Sequence, residues 1–120
     1  LFIEGYVFAN PQTGQGAILK AIEYAKKNNT KIALTVSDAF VVHVFGDAFR
    51  SALAQADLVF CNAAEAQALA GTESSADAFA KLKTMVPNSV VTDGPNGAFI
   101  RYKNEDSHVP AYPCNPRDLT

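Results

Sequence analysis

Apolar runs of strand length alternate with segments of helical periodicity over most of the chain. The runs LFIEGYVF, KIALTV and ADLVFC predict buried strands, because they are short and rich in branched and aromatic residues. Residues 13–27 separate the first two runs and place apolar side chains on one helical face, with lysine and glutamate on the other. Strands that are separated by helices favour a parallel sheet. The pattern therefore predicts an α/β fold.

Two further helices and their boundaries are predicted between the third run and residue 87. The segment AAEAQALA predicts a short helix that ends at Gly71. Ser74 or Ser75 supplies an N-cap for the next helix, and Pro87 ends it. Another helix is expected after Ser37 and Asp38, where apolar residues again recur with helical spacing.

The pattern changes from alternating helices and strands to consecutive strands after residue 87. The segment NSVVTDGPNGAFIRYK has two β-rich runs around a Pro-Asn-Gly turn, which predicts a hairpin, and SHVPAYP predicts one more short strand. The expected sheet is therefore mostly parallel with an antiparallel hairpin at its edge. Residues 1–120 are expected to form one partial domain, because the chain starts without Met on an apolar run and ends without a closing helix.

Composition narrows the class of partner. The 120 residues carry a net charge of -2 and have a pI near 5.6, which gives no electrostatic surface for nucleic acid. No apolar run approaches the roughly 20 residues that a membrane helix needs. Cys61 and Cys114 make neither a disulfide framework nor a metal cluster, and both are expected to be reduced thiols. These features predict a cytoplasmic protein that acts on a small molecule.

Polar residues follow three of the predicted strands. Ser37 and Asp38 follow the second strand, Asn62 follows the third, and residues 92–97 follow the next. In open α/β sheets the ligand crevice lies outside the carboxyl ends of the strands. The three strand ends therefore predict a single binding site.

Each strand end also has a structural interpretation. Asn62 and Glu65 place an amide and a carboxylate one helical turn apart, which suits a hydrated Mg²⁺ and a phosphate oxygen, but the same pair forms a capping box. The 92–97 segment offers a hydroxyl and backbone amides to a phosphate, but it is also an ordinary hairpin turn. Ser37 and Asp38 suit a phosphate or its metal shell, but Ser and Asp are also common N-caps. Convergence of all three at one edge favours a ligand site.

Four segments follow one another along the chain: ALTVSD, VFCNAAEAQALAG, VVTDGPNGAF and VPAYPCNPRDLT. In this order they resemble the PfkB (ribokinase-like) family of carbohydrate and nucleoside kinases, and within it the adenosine-kinase-like and sugar-kinase-like members. The resemblance implies a three-layer ribokinase-like α/β fold and an ATP-dependent kinase that phosphorylates a hydroxymethyl group of a sugar or nucleoside. It implies that Asn62 and Glu65 organise Mg²⁺, in part through water. It also implies that Thr92, Gly94 and Gly97 line the ATP site, and the strand-end pattern adds Ser37 and Asp38 to the predicted cofactor-binding residues.

The resemblance also implies what the segment lacks. Asp118 and Thr120 match positions that bind a monovalent cation such as K⁺, whereas the catalytic base belongs to a Gly-Ala-Gly-Asp signature expected beyond Thr120. No catalytic residue is therefore expected within residues 1–120, and the segment alone is expected to be inactive and to self-associate. Two alternatives remain, which are a nucleotide-binding module without catalysis and a structural fragment.

Overall fold

The structure, a computed structural model, describes residues 1–114. Within this range it contains six strands and four α-helices, joined in part by 3₁₀ turns. In chain order these are β1 (Phe2–Glu4), a 3₁₀ turn (Gly5–Ala9), α1 (Gly14–Lys27), β2 (Ala33–Thr35), α2 (Ala39–Leu53), β3 (Leu58–Asn62), α3 (Ala63–Ala70), α4 (Ser75–Leu82), β4 (Asn88–Thr92), a second 3₁₀ turn (Gly94–Asn96), β5 (Ala98–Tyr102) and β6 (Glu105–Val109). None of these helices is long and apolar enough to cross a membrane.

The strands form one sheet whose spatial order is the order of the chain, β1 to β6. The first four strands are parallel, and β5 and β6 add an antiparallel hairpin at one edge. The predicted mostly parallel sheet with an antiparallel edge is confirmed. Each parallel connection moves one strand in the same direction, and right-handed crossovers then place the connecting helices on the same face.

Burial along the strands identifies that face. The strand residues that are buried all have side chains on one face of the sheet: Ile3, Leu34, Val59, Cys61, Ser89 and Val91. Helices α1 to α4 complete this core with residues such as Ile22, Phe49 and Leu82. We call this the covered face.

The alternate residues of the same strands form what we call the open face. Phe2 and Phe60 lie there, 61% and 37% exposed, with ring centroids 6.4 Å apart. Leu58, Val90 and Ile100 on the same face are only partly buried. Parallel sheets are ordinarily covered on both faces, so residues 1–114 supply the sheet and the helical layer of one face.

The first strand is shorter than the apolar run LFIEGYVF predicts. Only Phe2–Glu4 pairs with β2, and the chain then turns into the 3₁₀ segment. The turn begins because the Glu4 carboxylate accepts the Tyr6 amide at 3.1 Å, while the Gly5 amide bonds to the Ser37 side chain instead of to a strand. Prediction of a strand through residue 8 was therefore wrong, although Phe8 is buried in the core as expected of its apolar side chain.

The helix boundaries were predicted more closely. Helix α3 ends at Gly71, which has a left-handed φ of 67°. Helix α4 begins after the N-cap Ser74, whose hydroxyl accepts the Asp77 amide, but it ends at Leu82 rather than at Pro87. Residues after Leu82 continue in three-residue turns, where the Thr84 and Met85 amides bond to the carbonyls of Lys81 and Leu82.

Candidate functional site

Side chains from three strand ends line one cleft at the carboxyl edge of the sheet. Its volume is about 320 Å³, and it is lined by Thr35, Ser37, Phe60, Cys61, Asn62, Glu65, Val90 and Thr92. Asn62 and Thr92 are direct neighbours in the parallel register of β3 and β4. The alternate-face position of Phe60, Asn62, Val90 and Thr92 places the cleft on the open face. The structure therefore brings together four of the predicted site residues, Ser37, Asn62, Glu65 and Thr92.

Asn62 and Glu65 form a complete capping box at the start of α3. The Asn62 Oδ1 accepts the Glu65 amide at 2.9 Å, and the Glu65 Oε2 accepts the Asn62 amide at 2.9 Å. A third bond joins Asn62 Nδ2 to Glu65 Oε1 at 2.9 Å. The carboxylate is consequently held in one orientation, and the Glu65 residue is only 7% exposed.

The capping role leaves capacity for a ligand. A carboxylate has about four lone-pair directions, and the two Glu65 oxygens each accept one bond from Asn62. The remaining directions are suited to accept protons from water around Mg²⁺, which retains several waters in most protein sites. Residues 1–114 hold no group of three or more His, Cys, Asp or Glu side chains that could bind a metal directly. The donor set therefore fits a hydrated Mg²⁺ held through water, and the capping and metal interpretations are compatible.

Cys61 lines the same cleft, and its thiol is unreactive. Burial, with a further contribution from the nearby Glu65 charge, raises the pKa of its thiol to about 12. The thiol therefore stays protonated at neutral pH, and a protonated thiol is a poor nucleophile and metal ligand. Both cysteines in the described residues are free, as the sequence predicts.

Ser37 forms one wall of the cleft in an unusual conformation. Its φ is 71°, in the left-handed region that non-glycine residues seldom occupy. Its Oγ accepts the Gly5 amide at 2.9 Å. The bond ties the end of β1 to the loop between β2 and α2, and it fixes where the Ser37 hydroxyl lies.

Asp38 is engaged within the protein on both of its carboxylate oxygens. Oδ1 accepts the Phe40 amide at 2.7 Å as the N-cap of α2, and Oδ2 accepts the Tyr6 hydroxyl at 3.1 Å. This bond, together with the Asp38 charge, raises the pKa of Tyr6. Asp38 is not among the residues that line the cleft. The N-cap interpretation of Asp38 is therefore the one that the geometry displays.

The 92–97 segment is a tight hairpin turn beside the cleft. The Asp93 amide bonds to the Gly97 carbonyl at 2.7 Å, and the Gly97 amide bonds to the Gly94 carbonyl at 3.1 Å. Gly94 and Gly97 have φ values of 48° and 90°. A Cβ on Gly97 would lie 2.0 Å from the Val109 carbonyl oxygen, so only glycine fits there.

The two glycines of this turn do not line the cleft itself. Gly94 borders a neighbouring pocket of about 460 Å³ together with Pro95 and residues 111–114, and Gly97 lies against the strand β6 end. Only Thr92 of the predicted ATP loop faces the cleft directly. The predicted cation residues Asp118 and Thr120 lie outside the described residues.

Sequence reasoning missed the contribution of the segment after β1. Gly5 and Tyr6 both contact the Ser37–Asp38 junction across 32 positions of sequence. A Cβ on Gly5 would lie 2.0 Å from the Val36 carbonyl oxygen, so close approach of the two backbones requires glycine. The only local signal is a glycine inside an apolar run, which often marks close backbone approach.

The fold of the chain is similar to that of several solved structures. An adenosine kinase from Sinorhizobium meliloti is 29% identical with a TM-score of 0.85, and the match covers 96% of this chain and 36% of that one. A fructokinase double mutant from Vibrio cholerae O395, solved with fructose, ADP and potassium ion bound, is 24% identical with a TM-score of 0.85, covering 100% of this chain and 40% of that one. A protein from E. coli assigned as a ribokinase II, solved with ATP and Mg²⁺, is 24% identical with a TM-score of 0.81, and the match covers 98% of this chain and 39% of that one. The chain thus spans well under half the length of these structures.

One protein-family model matches the sequence over its whole length, whereas no protein with a curated description matches it. The family model described as pfkB family carbohydrate kinase matches residues 1–120. The sheet order, its antiparallel edge and the agreement with these structures confirm the ribokinase-like fold. The chain belongs to the pfkB family of carbohydrate kinases.

Proposed function

We propose that the chain is part of an ATP-dependent kinase that transfers a phosphoryl group to a hydroxymethyl group of a sugar or nucleoside. The observation that carries the proposal is the convergence of Ser37, Asn62, Glu65 and Thr92 on one cleft at the carboxyl edge of the sheet. Family membership supports the reaction class, and the similar structures include both an adenosine kinase and a fructokinase. The acceptor class therefore remains sugar or nucleoside.

Phosphoryl transfer requires mainly positioning and neutralisation of charge. When bound, Mg²⁺ supplies the charge neutralisation on the phosphate oxygens. Glu65 would hold the water around that ion, and Asn62 would keep the carboxylate oriented through their three hydrogen bonds. Because the pair is already rigid, little conformational freedom is lost when the ligand binds.

The nucleotide would lie between the β4 end and the β2 end. Thr92 offers a hydroxyl that faces the cleft, and the turn that carries Gly94 and Gly97 offers backbone groups close to it. Ser37 lines the opposite wall of the cleft. Asp38, which follows it, would contribute to nucleotide binding without lining the cleft. The bound ATP and ADP in the similar E. coli and V. cholerae structures support a nucleotide for this family.

Two parts of the kinase are proposed to lie outside the described residues. Asp118 and Thr120 would contribute to a monovalent-cation site, in line with the potassium ion of the V. cholerae fructokinase. The general base that takes the acceptor proton would lie beyond Thr120, in the Gly-Ala-Gly-Asp signature that the resemblance to the family implies. We also propose that the whole protein acts in the cytoplasm.

Phosphate transfer from ATP to a panel of sugars and nucleosides tests the proposal. The proposed kinase of which residues 1–120 form a part, called here the longer protein, should transfer phosphate to at least one acceptor, and the transfer should require Mg²⁺. Residues 1–120 alone should give no transfer above background, because positioning groups do not replace the base. Nucleotide binding without transfer by the longer protein would instead favour a binding module, and the absence of both would favour a structural role for the capping box and turn.

A further inference from the structure

We propose that Tyr6 is a positioning residue of the nucleotide cleft that acts through the Ser37–Asp38 junction. The inference rests on the proposed function, since it assigns Ser37 a phosphate oxygen as its partner. Two hydrogen bonds, from the Gly5 amide to Ser37 Oγ and from the Tyr6 hydroxyl to Asp38 Oδ2, join the segment after β1 to the segment after β2. We call this pair of bonds the clasp.

The first bond of the clasp determines what the Ser37 hydroxyl can do. Its oxygen accepts the Gly5 amide at 2.9 Å, so one lone pair is occupied. A serine hydroxyl has one proton to donate, and that proton must then point away from the amide. Since Ser37 lines the cleft, the available direction leads towards a bound anionic oxygen. A phosphate oxygen of the nucleotide is the acceptor with the required charge.

The second bond of the clasp holds the backbone that carries Ser37. The Tyr6 hydroxyl fixes one Asp38 oxygen at 3.1 Å while the other caps α2 at 2.7 Å. Ser37 immediately precedes this fixed point and has a φ of 71°. A left-handed serine persists only where surrounding contacts support it. Tyr6 is 53% exposed, so its ring contributes little to the core and its hydroxyl is the part that acts.

A double-mutant cycle on the longer protein separates positioning from general stability. The variants are Tyr6→Phe, Ser37→Ala and the two combined, and the readouts are the Kd for ATP with Mg²⁺ and the melting temperature. Tyr6→Phe should weaken ATP binding about five-fold, because the exposed Tyr6–Asp38 bond acts on the nucleotide only indirectly, through Ser37. Ser37→Ala should weaken it at least as much, and the double variant should be no weaker than Ser37→Ala, because Tyr6 acts through Ser37.

A matched control removes the same atom elsewhere. Tyr24 is 56% exposed on α1, so Tyr24→Phe deletes a phenol oxygen from a comparable surface position, and it should leave ATP affinity unchanged. Additive losses in the cycle would overturn the proposal. A lower melting temperature for Tyr6→Phe with unchanged affinity would also overturn it, because that result describes a purely structural bond.

The result also distinguishes this inference from the proposed function. If the wild-type protein binds ATP but transfers no phosphate, the kinase assignment fails and the cycle still decides whether Tyr6 positions Ser37. If the wild-type protein transfers phosphate but the cycle is additive, the kinase assignment stands and the positioning role fails. A wild-type protein that binds no ATP would overturn both.

Discussion

The two faces of the sheet are made from alternate residues of the same strands, yet they have opposite surroundings. On the covered face Leu34 and Val59 have no exposed surface. On the open face Phe2 and Phe60 are 61% and 37% exposed, although both are as apolar as their neighbours inside. The hydrophobic pattern of the chain thus calls for cover on both faces, and residues 1–114 supply it on one.

The cleft lies on the open face, at the carboxyl edge. Asn62 and Thr92 are neighbours there, and α3 brings Glu65 over the end of β3. The apolar contacts that stabilise the fold therefore lie on the covered face, and the polar groups of the cleft lie on the open face. Substitutions on the covered face should change stability, whereas those at the open edge should change binding with little effect on stability.

The largest expected effect distinguishes two leucines on opposite faces. Leu34→Ala should destabilise residues 1–120 by about 2–5 kcal/mol, since it leaves a cavity under the helices. Leu58→Ala removes the same atoms from the partly exposed open face and should cost much less. Chemical denaturation at a concentration where the chain is monomeric measures both. Equal costs would mean that the open face is also covered.

The next effect concerns the charge of Glu65. Glu65→Gln in the longer protein should raise the Mg²⁺ concentration needed for transfer by about 10- to 100-fold, the usual loss when a group around a metal is changed. The melting temperature should fall only slightly, because glutamine keeps the capping-box bond from the Asn62 amide and loses only the bond from Asn62 Nδ2. Glu23→Gln removes a charge from the exposed face of α1 and is the control. A lower melting temperature with unchanged Mg²⁺ dependence would leave Glu65 with the capping role alone.

A smaller loss of stability is expected from substitution of Asp57. This residue lies at the amino ends of the strands, at the edge of the sheet opposite the cleft. Asp57 accepts the Ile32 amide at 2.8 Å and Lys31 Nζ at 3.2 Å, and the Ile32 bond is the main reason that its pKa is lowered. Asp57→Asn should cost about 1 kcal/mol at neutral pH. ATP affinity should be unchanged, and a change in it would contradict the separation of the two edges.

The pH dependence of this contribution follows from the direction of the shift. Because the folded pKa of Asp57 lies below its ordinary value of 3.8, the carboxylate contributes stability above that value and loses it as pH falls through the folded pKa. The difference in unfolding free energy between wild type and Asp57→Asn should therefore shrink below about pH 4. Urea denaturation across this range measures it, and a constant difference would contradict the assignment.

The last expected effect concerns association between chains, through the open face. Exposed strand edges and apolar patches recruit partners, so residues 1–120 should self-associate in a concentration-dependent way, through the LFIEGYVF segment or the late strands. Phe60→Ser should weaken the association about ten-fold or more, since it removes a large apolar contact next to Phe2. Light scattering at several concentrations is the measurement. A monomer throughout would mean that the open face is tolerated in water.

Local chemistry explains what the sequence could predict. Helix α3 has its capping box and its left-handed Gly71 within nine residues of each other, so neighbouring residues alone define it. The convergence of Ser37, Asn62 and Thr92 also follows from one rule, since parallel strands end at the same edge. The position of the cleft and four of its eight lining residues were therefore predictable.

The missed features depend on contacts between distant segments. Nothing in LFIEGYVF shows that pairing stops at Glu4, because the end depends on where β2 ends and on the Gly5 backbone meeting Val36. The Tyr6–Asp38 bond spans 32 positions and involves an exposed tyrosine, which no periodicity marks. Sequence also could not tell that Gly94 borders a pocket next to the cleft rather than the cleft itself.

Paramagnetic broadening by Mn²⁺ with ATP is the most direct test of the claim that the open carboxyl edge holds the metal and nucleotide. Mn²⁺ accepts the same oxygen ligands as Mg²⁺, and it broadens NMR signals of nuclei close to it. In the longer protein, the backbone amide signals of Asn62, Glu65 and Thr92 should lose intensity at lower Mn²⁺ concentrations than those of Asp57 and Asn88 at the opposite edge, because the broadening falls steeply with distance from the ion. Broadening centred on Asp57 and Asn88, or spread evenly over the sheet, would contradict the account.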